Sequence, residues 1–181
     1  MDIGQLLIKI TIRAALALYV VVVAREITYR DRRTDEIARC CWATACVSFL
    51  IHVGCAFYFY HSMSHLAAFR STALRTREML GFEFGYGVYF SYLFALIWAV
   101  DAGWWLLKPV SYVERSRWLH AGVHLYLFFI AFNGAVIFEG GVTRWAGIGA
   151  SVGLTGLTAR AWSNGRWQRQ PIVRSMGSSE S

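Results

Sequence analysis

Residues Cys40–Tyr60 read CCWATACVSFLIHVGCAFYFY, with no Asp, Glu, Lys or Arg among them. As an α-helix rising ~1.5 Å per residue, the stretch is about 30 Å long, the thickness of a bilayer's hydrocarbon core. His52 lies inside it, and His61 and His65 follow directly, so three of the chain's five histidines sit in or just beyond one apolar run. An ionisable side chain in that setting is costly and is expected to have a structural or functional reason.

Similar runs flank this one, at about 3–24, 84–107, 118–138 and 145–159. The expected fold is therefore all-α, an integral membrane bundle of about five spans over residues 1–162. A basic, Ser-rich tail, 163–181, is expected to be disordered in the cytoplasm. Composition agrees: 56% of the 181 residues are hydrophobic and 16% charged, with a mean hydropathy of +0.41, outside the usual soluble range. The four cysteines all fall in 40–55 and would lie along one helix, so no disulfide framework is implied. The first run lacks a basic start and a small-residue cleavage site and carries Lys9 and Arg13, so it is expected to be retained. Lys9 can snorkel; Arg13 is deeper, and a lipid phosphate, a bound anion or helix-end carbonyls are its expected partners.

Lys and Arg outnumber Asp and Glu by 18 to 11, but the basic residues fall mainly in the links between apolar runs. That pattern sets topology and implies no nucleic-acid partner. With the N-terminus outside, twelve Lys/Arg lie on cytoplasmic segments and six outside, even when Lys9 and Arg13 are counted as outer. N-out, C-in is the expected orientation, in a bacterial inner membrane or another cytoplasm-facing membrane. The link 25–39 reads as a solvated loop or short helix, and 61–80 as an interfacial or projecting helix. Gly149 and Gly153 in the last run form a small-xxx-small pair, a packing face for another helix, a membrane-protein partner or a second copy of the chain.

Depth decides which polar residues can meet. Counting the helical rise from Arg39, His52 lies ~20 Å up; from Arg117, His120 lies ~5 Å and His124 ~10 Å up. Asp101, ~9 Å above Leu107 on the antiparallel third run, matches His124. The candidate inner-leaflet constellation is Ser48, His52, Asp101, His120 and His124, with His52 ~10 Å above His124. Asp101, His120, His124 and His52 suit a divalent metal such as zinc, in redox or hydrolytic chemistry. His52, His120 and His124 alternatively supply axial ligands for haem b. The remaining readings are a structural Asp101–His124 pair in a non-catalytic accessory or assembly subunit, and a proton or ion pathway. A second, weaker metal site is His61 with His65, near Glu83 and Glu139.

In residue types, Ser48 and His52, the separate Asp101 and the pair His120/His124 are similar to the zinc site of the alkaline ceramidase and adiponectin receptor superfamily of intramembrane hydrolases. The likeness implies zinc and hydrolysis at those five residues. It departs from that family in span number, in the spacing from the first His to the Asp, and in the parallel direction of the two His-bearing helices, so it assigns no family.

Overall fold

The computed structural model of the chain describes residues 3–28, 35–137 and 141–163, and these are all helical apart from short turns. In chain order they are α1 (Ile3–Thr28), α2 (Glu36–Tyr60), α3 (His65–Leu80), α4 (Gly87–Leu107), α5 (Pro109–Glu114), α6 (Arg117–Phe132) running into a π-helical turn (Asn133–Ile137), and α7 (Gly141–Ser163). Four helical stretches are long and apolar enough to cross a membrane: α1, α2, α4, and α6 with its π-turn. Their outer faces carry apolar side chains such as Ile51, Leu96 and Leu125, at least half exposed, as lipid-facing helices require.

The fifth expected span is a helix of 23 residues, 141–163, longer than the 145–159 read from hydropathy, but it is not among those four. Its Gly, Ser, Thr and Arg content dilutes its apolar residues. A Cβ on Gly147 would stand 3.0 Å from Val136 and 3.2 Å from Ala135, so this glycine lets α7 approach the π-turn; at Gly149, Gly153 and Gly156 nothing among the described residues lies within 4 Å. The tail beyond 163, residues 29–34 of the first link, and Glu139 lie outside the described residues.

α1 packs along α2, α2 on α4, and α4 on α6, with α7 against α1 and α3 on α4. The centre is aromatic. Tyr19, Trp42 and Trp98 meet with ring centroids 5.3–5.8 Å apart, and Phe49 and Phe94 extend the stack. Such offset and edge contacts add about 0.5–1.5 kcal/mol per pair beyond area burial. Caps fix the helix ends. Asp35 caps α2 through the Ala38 amide and takes a forked pair from Arg25, both nitrogens at 3.1 Å, which ties the end of α1 to the start of α2. Pro109 opens α5 and Ser116 caps α6.

Candidate functional site

The end of α1, the start of α2, the end of α4, α5 and the start of α6 meet at one end of the bundle, where the side chains of Asp101, Arg115 and Glu26 are buried. Asp101 on α4 is 3% exposed. Its Oδ2 accepts from the Trp42 indole N–H at 2.9 Å and from the Tyr112 hydroxyl at 3.0 Å, and its Oδ1 accepts from the Arg115 guanidinium. Arg115 is equally buried and lies 3.8 Å over the Tyr112 ring, which itself stacks on Trp105 at 4.8 Å. Burial, and then the charge of Asp101 beside it, push the Tyr112 hydroxyl well above its ordinary pKa, so it stays protonated and donates. The short α5 between Pro109 and the Ser116 cap is what folds Arg115 back onto α4.

The other side of Arg115 faces α6. One guanidinium nitrogen donates to the Tyr112 hydroxyl at 2.9 Å and contacts Nδ1 of His120. The opposite ring nitrogen, Nε2, lies 3.5 Å from Oε2 of Glu26 on α1, and Nε2 of His124 lies 3.4 Å from the same oxygen. Spacing by one helical turn brings the two imidazoles together, with centroids 4.3 Å apart. Glu26 is 6% exposed, and its Oε1 is buried with no hydrogen-bond partner among the described residues. The three ligand atoms all lie within 4.8 Å of one another.

Those separations are informative. A charge-assisted N–H···O bond is about 2.7–2.9 Å long, shorter than either contact to Glu26. Tetrahedral zinc with ordinary Zn–N and Zn–O bonds sets neighbouring ligand atoms about 3.3–3.5 Å apart. Charge gives a second constraint. With both carboxylates ionised and both imidazoles neutral, Arg115 balances one of Glu26 and Asp101, and among the described residues the cluster is one positive charge short. A buried cluster of this kind needs a cation, as a proton or as a metal ion.

The sequence-expected residues separate into groups. His120 and His124 stand together. Asp101 is beside them, but its oxygens are occupied by Trp42, Tyr112 and Arg115, and Trp42 also sets its ring 5.2 Å from that of His124. His52 is elsewhere: its Nδ1 lies 3.0 Å from the carbonyl oxygen of Ile8, eighteen residues and ~27 Å of helix axis from Glu26. Ser48 is half-buried on α2, outside the cluster. At the opposite end, His65 meets the hydroxyls of Tyr92 and Tyr89 at 2.9 and 3.2 Å, His61 packs on Phe57, and Glu83 pairs with Arg77 at 2.8 Å. Among the described residues these do not form a three-ligand cluster.

Glu26, Trp42, Tyr112 and Arg115 are the members that sequence reasoning missed. Glu26 carried a signal: Ala15, Tyr19, Val22 and Glu26 follow one helical face, and the first three are buried. Ending the span at Ala24 hid it. Arg115 lies in a link and has no periodic signal. Comparison with protein families, curated proteins and solved structures finds no match to this chain.

Proposed function

We propose that this chain is a multi-pass membrane protein that holds one divalent metal ion, with zinc the best fit, between Glu26, His120 and His124. The carrying observation is the pair of 3.4 and 3.5 Å separations from one Glu26 oxygen to two imidazole nitrogens, longer than charge-assisted hydrogen bonds and of the size that ligands of a common tetrahedral ion have. One carboxylate and two imidazoles leave a fourth position for water, the donor set of hydrolytic zinc. Asp101 acts one layer out, through the indole of Trp42, whose ring lies 5.2 Å from that of His124. Haem b gains no comparable support, since the His120 ring lies against that of His124, and His124 against Trp42, rather than the two facing a porphyrin-wide slot.

One observation favours a different cation. A guanidinium N–H aimed at Nδ1 of His120 requires a lone pair there, which puts the imidazole proton on Nε2, toward Glu26. In that state Nε2 of His120 donates to Glu26 instead of ligating a metal, the balancing charge is an extra proton held between Glu26 and His124, and the site is a buried carboxylate–imidazole relay.

Metal analysis separates the two. The purified protein, stripped with chelator and reloaded with zinc, is expected to retain one zinc per chain and to melt higher; at one hundred times Kd, binding adds about 2.7 kcal/mol. Glu26→Gln and His124→Gln should each lose the ion. Folded wild-type protein with no stoichiometric zinc, iron or copper overturns the metal reading and leaves the proton.

The arrangement we adopt has five crossings, N-out and C-in, with the site on the cytoplasmic side. α7 is long enough to cross at ~1.5 Å per residue, and it packs along α1. Removing the buried Arg115 from the basic count still leaves eleven inner residues against six outer. A cysteine placed in the tail beyond 163 should resist an impermeant label in intact cells; labelling from outside sinks the orientation.

A further inference from the structure

The half of the bundle where α1 begins holds two cavities that meet at Arg13. One, of about 540 Å³, is a groove between α1, α6 with its π-turn, and α7, with walls of Leu16, Val20, Phe128, Val136 and Leu154. The other, of about 380 Å³, lies between α1, α2, α4 and the start of α3, and is lined by Lys9, Arg13, His52 and His61. Arg13 and Thr143 line both. Among the described residues no Asp or Glu lines either one.

Lys9 and Arg13 are one turn apart on one face of α1, so their like charges repel. Both are exposed on the protein surface, inside a helix built to cross the membrane. Ten residues, ~15 Å, separate Arg13 from the start of α1, near the middle of that helix. Its hydrogen-bond contact among the described residues is with the Thr143 hydroxyl, at 3.5 Å. Two cations at membrane depth with no carboxylate beside them among the described residues call for an anion, and the neighbouring groove is apolar and of the volume of a ligand pocket.

We propose that this half of the bundle binds one anionic phospholipid, its phosphate held by Lys9, Arg13 and Thr143 and one acyl chain laid in the groove between α1 and α7. The head group then enters the smaller cavity. Among the described residues that cavity offers two cations and two imidazoles but no carboxylate, so it disfavours a choline or ethanolamine ammonium and accepts a neutral polar head such as glycerol. The site stands apart from the candidate metal ion: thirteen residues of α1, ~20 Å, separate Arg13 from Glu26.

The test titrates delipidated full-length protein in detergent with phosphatidylglycerol, phosphatidylcholine or inorganic phosphate, reading retained lipid by native mass spectrometry and melting temperature in parallel. Phosphatidylglycerol is expected to be retained at one per chain and to raise the melting temperature, with at least tenfold weaker retention of phosphatidylcholine. Lys9→Gln with Arg13→Gln should cut phosphatidylglycerol retention at least tenfold, and Ala150→Phe, which fills the groove and leaves both charges in place, should also weaken it. Zinc content should stay at the wild-type value in all variants, whatever that value is, so failure of the metal reading and failure of the lipid reading are read separately. Equal retention of the two lipids by wild-type protein overturns the proposal, as does undiminished phosphatidylglycerol retention in the double variant. A full melting shift from inorganic phosphate alone, with no dependence on the acyl chain, overturns the lipid assignment.

Discussion

Where α1 ends, Glu26, Asp101, Arg115, His120 and His124 bring both signs of charge into one buried cluster; where α1 begins, Lys9, Arg13, His52 and His61 bring only basic groups to the walls of two cavities. Both ends place ionisable groups in helices that are otherwise apolar. At the first, the protein supplies most of the compensation itself: Asp101 accepts three donors, and Arg115 is shared between Asp101, Tyr112 and His120. At the second, the described residues offer Arg13 one hydroxyl. A closed network of both signs rigidifies, while an open array of one sign selects a ligand of the other.

Charge removal at the two ends is the direct way to break this comparison. Asp101→Asn should destabilise by about 3–5 kcal/mol, because Arg115 is left buried without its counter-charge. Thermal aggregation or denaturant titration in micelles would show it; a loss below about 1 kcal/mol, that of an ordinary hydrogen bond, would mean that the network is not what closes this end. The double replacement Asp101→Leu with Arg115→Met should recover most of that loss, since it removes both ions together and fills the space with apolar atoms. Additive losses would show that the two residues act separately.

At the opposite end the sign should reverse. In zwitterionic detergent, Lys9→Gln should be neutral or stabilising by about 0.2–0.5 kcal/mol, the size of a like-charge repulsion one turn apart. A clear destabilisation there, in the absence of anionic lipid, would reveal a protein partner for Lys9 and erase the contrast.

The amino-acid sequence by itself determined that the chain forms helices long and apolar enough to cross a membrane, where the four such helices lie, though it counted a fifth, and that His120 and His124 share a face near Asp101. Those properties are local: hydropathy over about 20 residues, a periodicity of 3.6, and a fixed rise per residue, none of which depends on a neighbour. Depth counting put His52 about 10 Å above His124 and still kept it in the candidate constellation; the structure sets its ring against the Ile8 carbonyl instead. The same counting could not find the third member of the cluster. Glu26 sits in a charge-dense stretch that reads as solvated, and only the packing of α1 against α2, with Arg25 forked onto Asp35, carries the helix on to Thr28 and turns that carboxylate inward. Arg115 reads in sequence as one more basic residue in a link, and Trp42 as one more apolar residue in a span. Which of them meets Asp101 depends on how α5 folds back beneath α4 and on which face α2 turns inward. The meeting of two cavities at Arg13 likewise needs the approach of α7, set by Gly147 against Ala135 and Val136. Contacts between helices distant in the chain depend on side-chain shape in three dimensions, and one-dimensional periodicity carries no record of it.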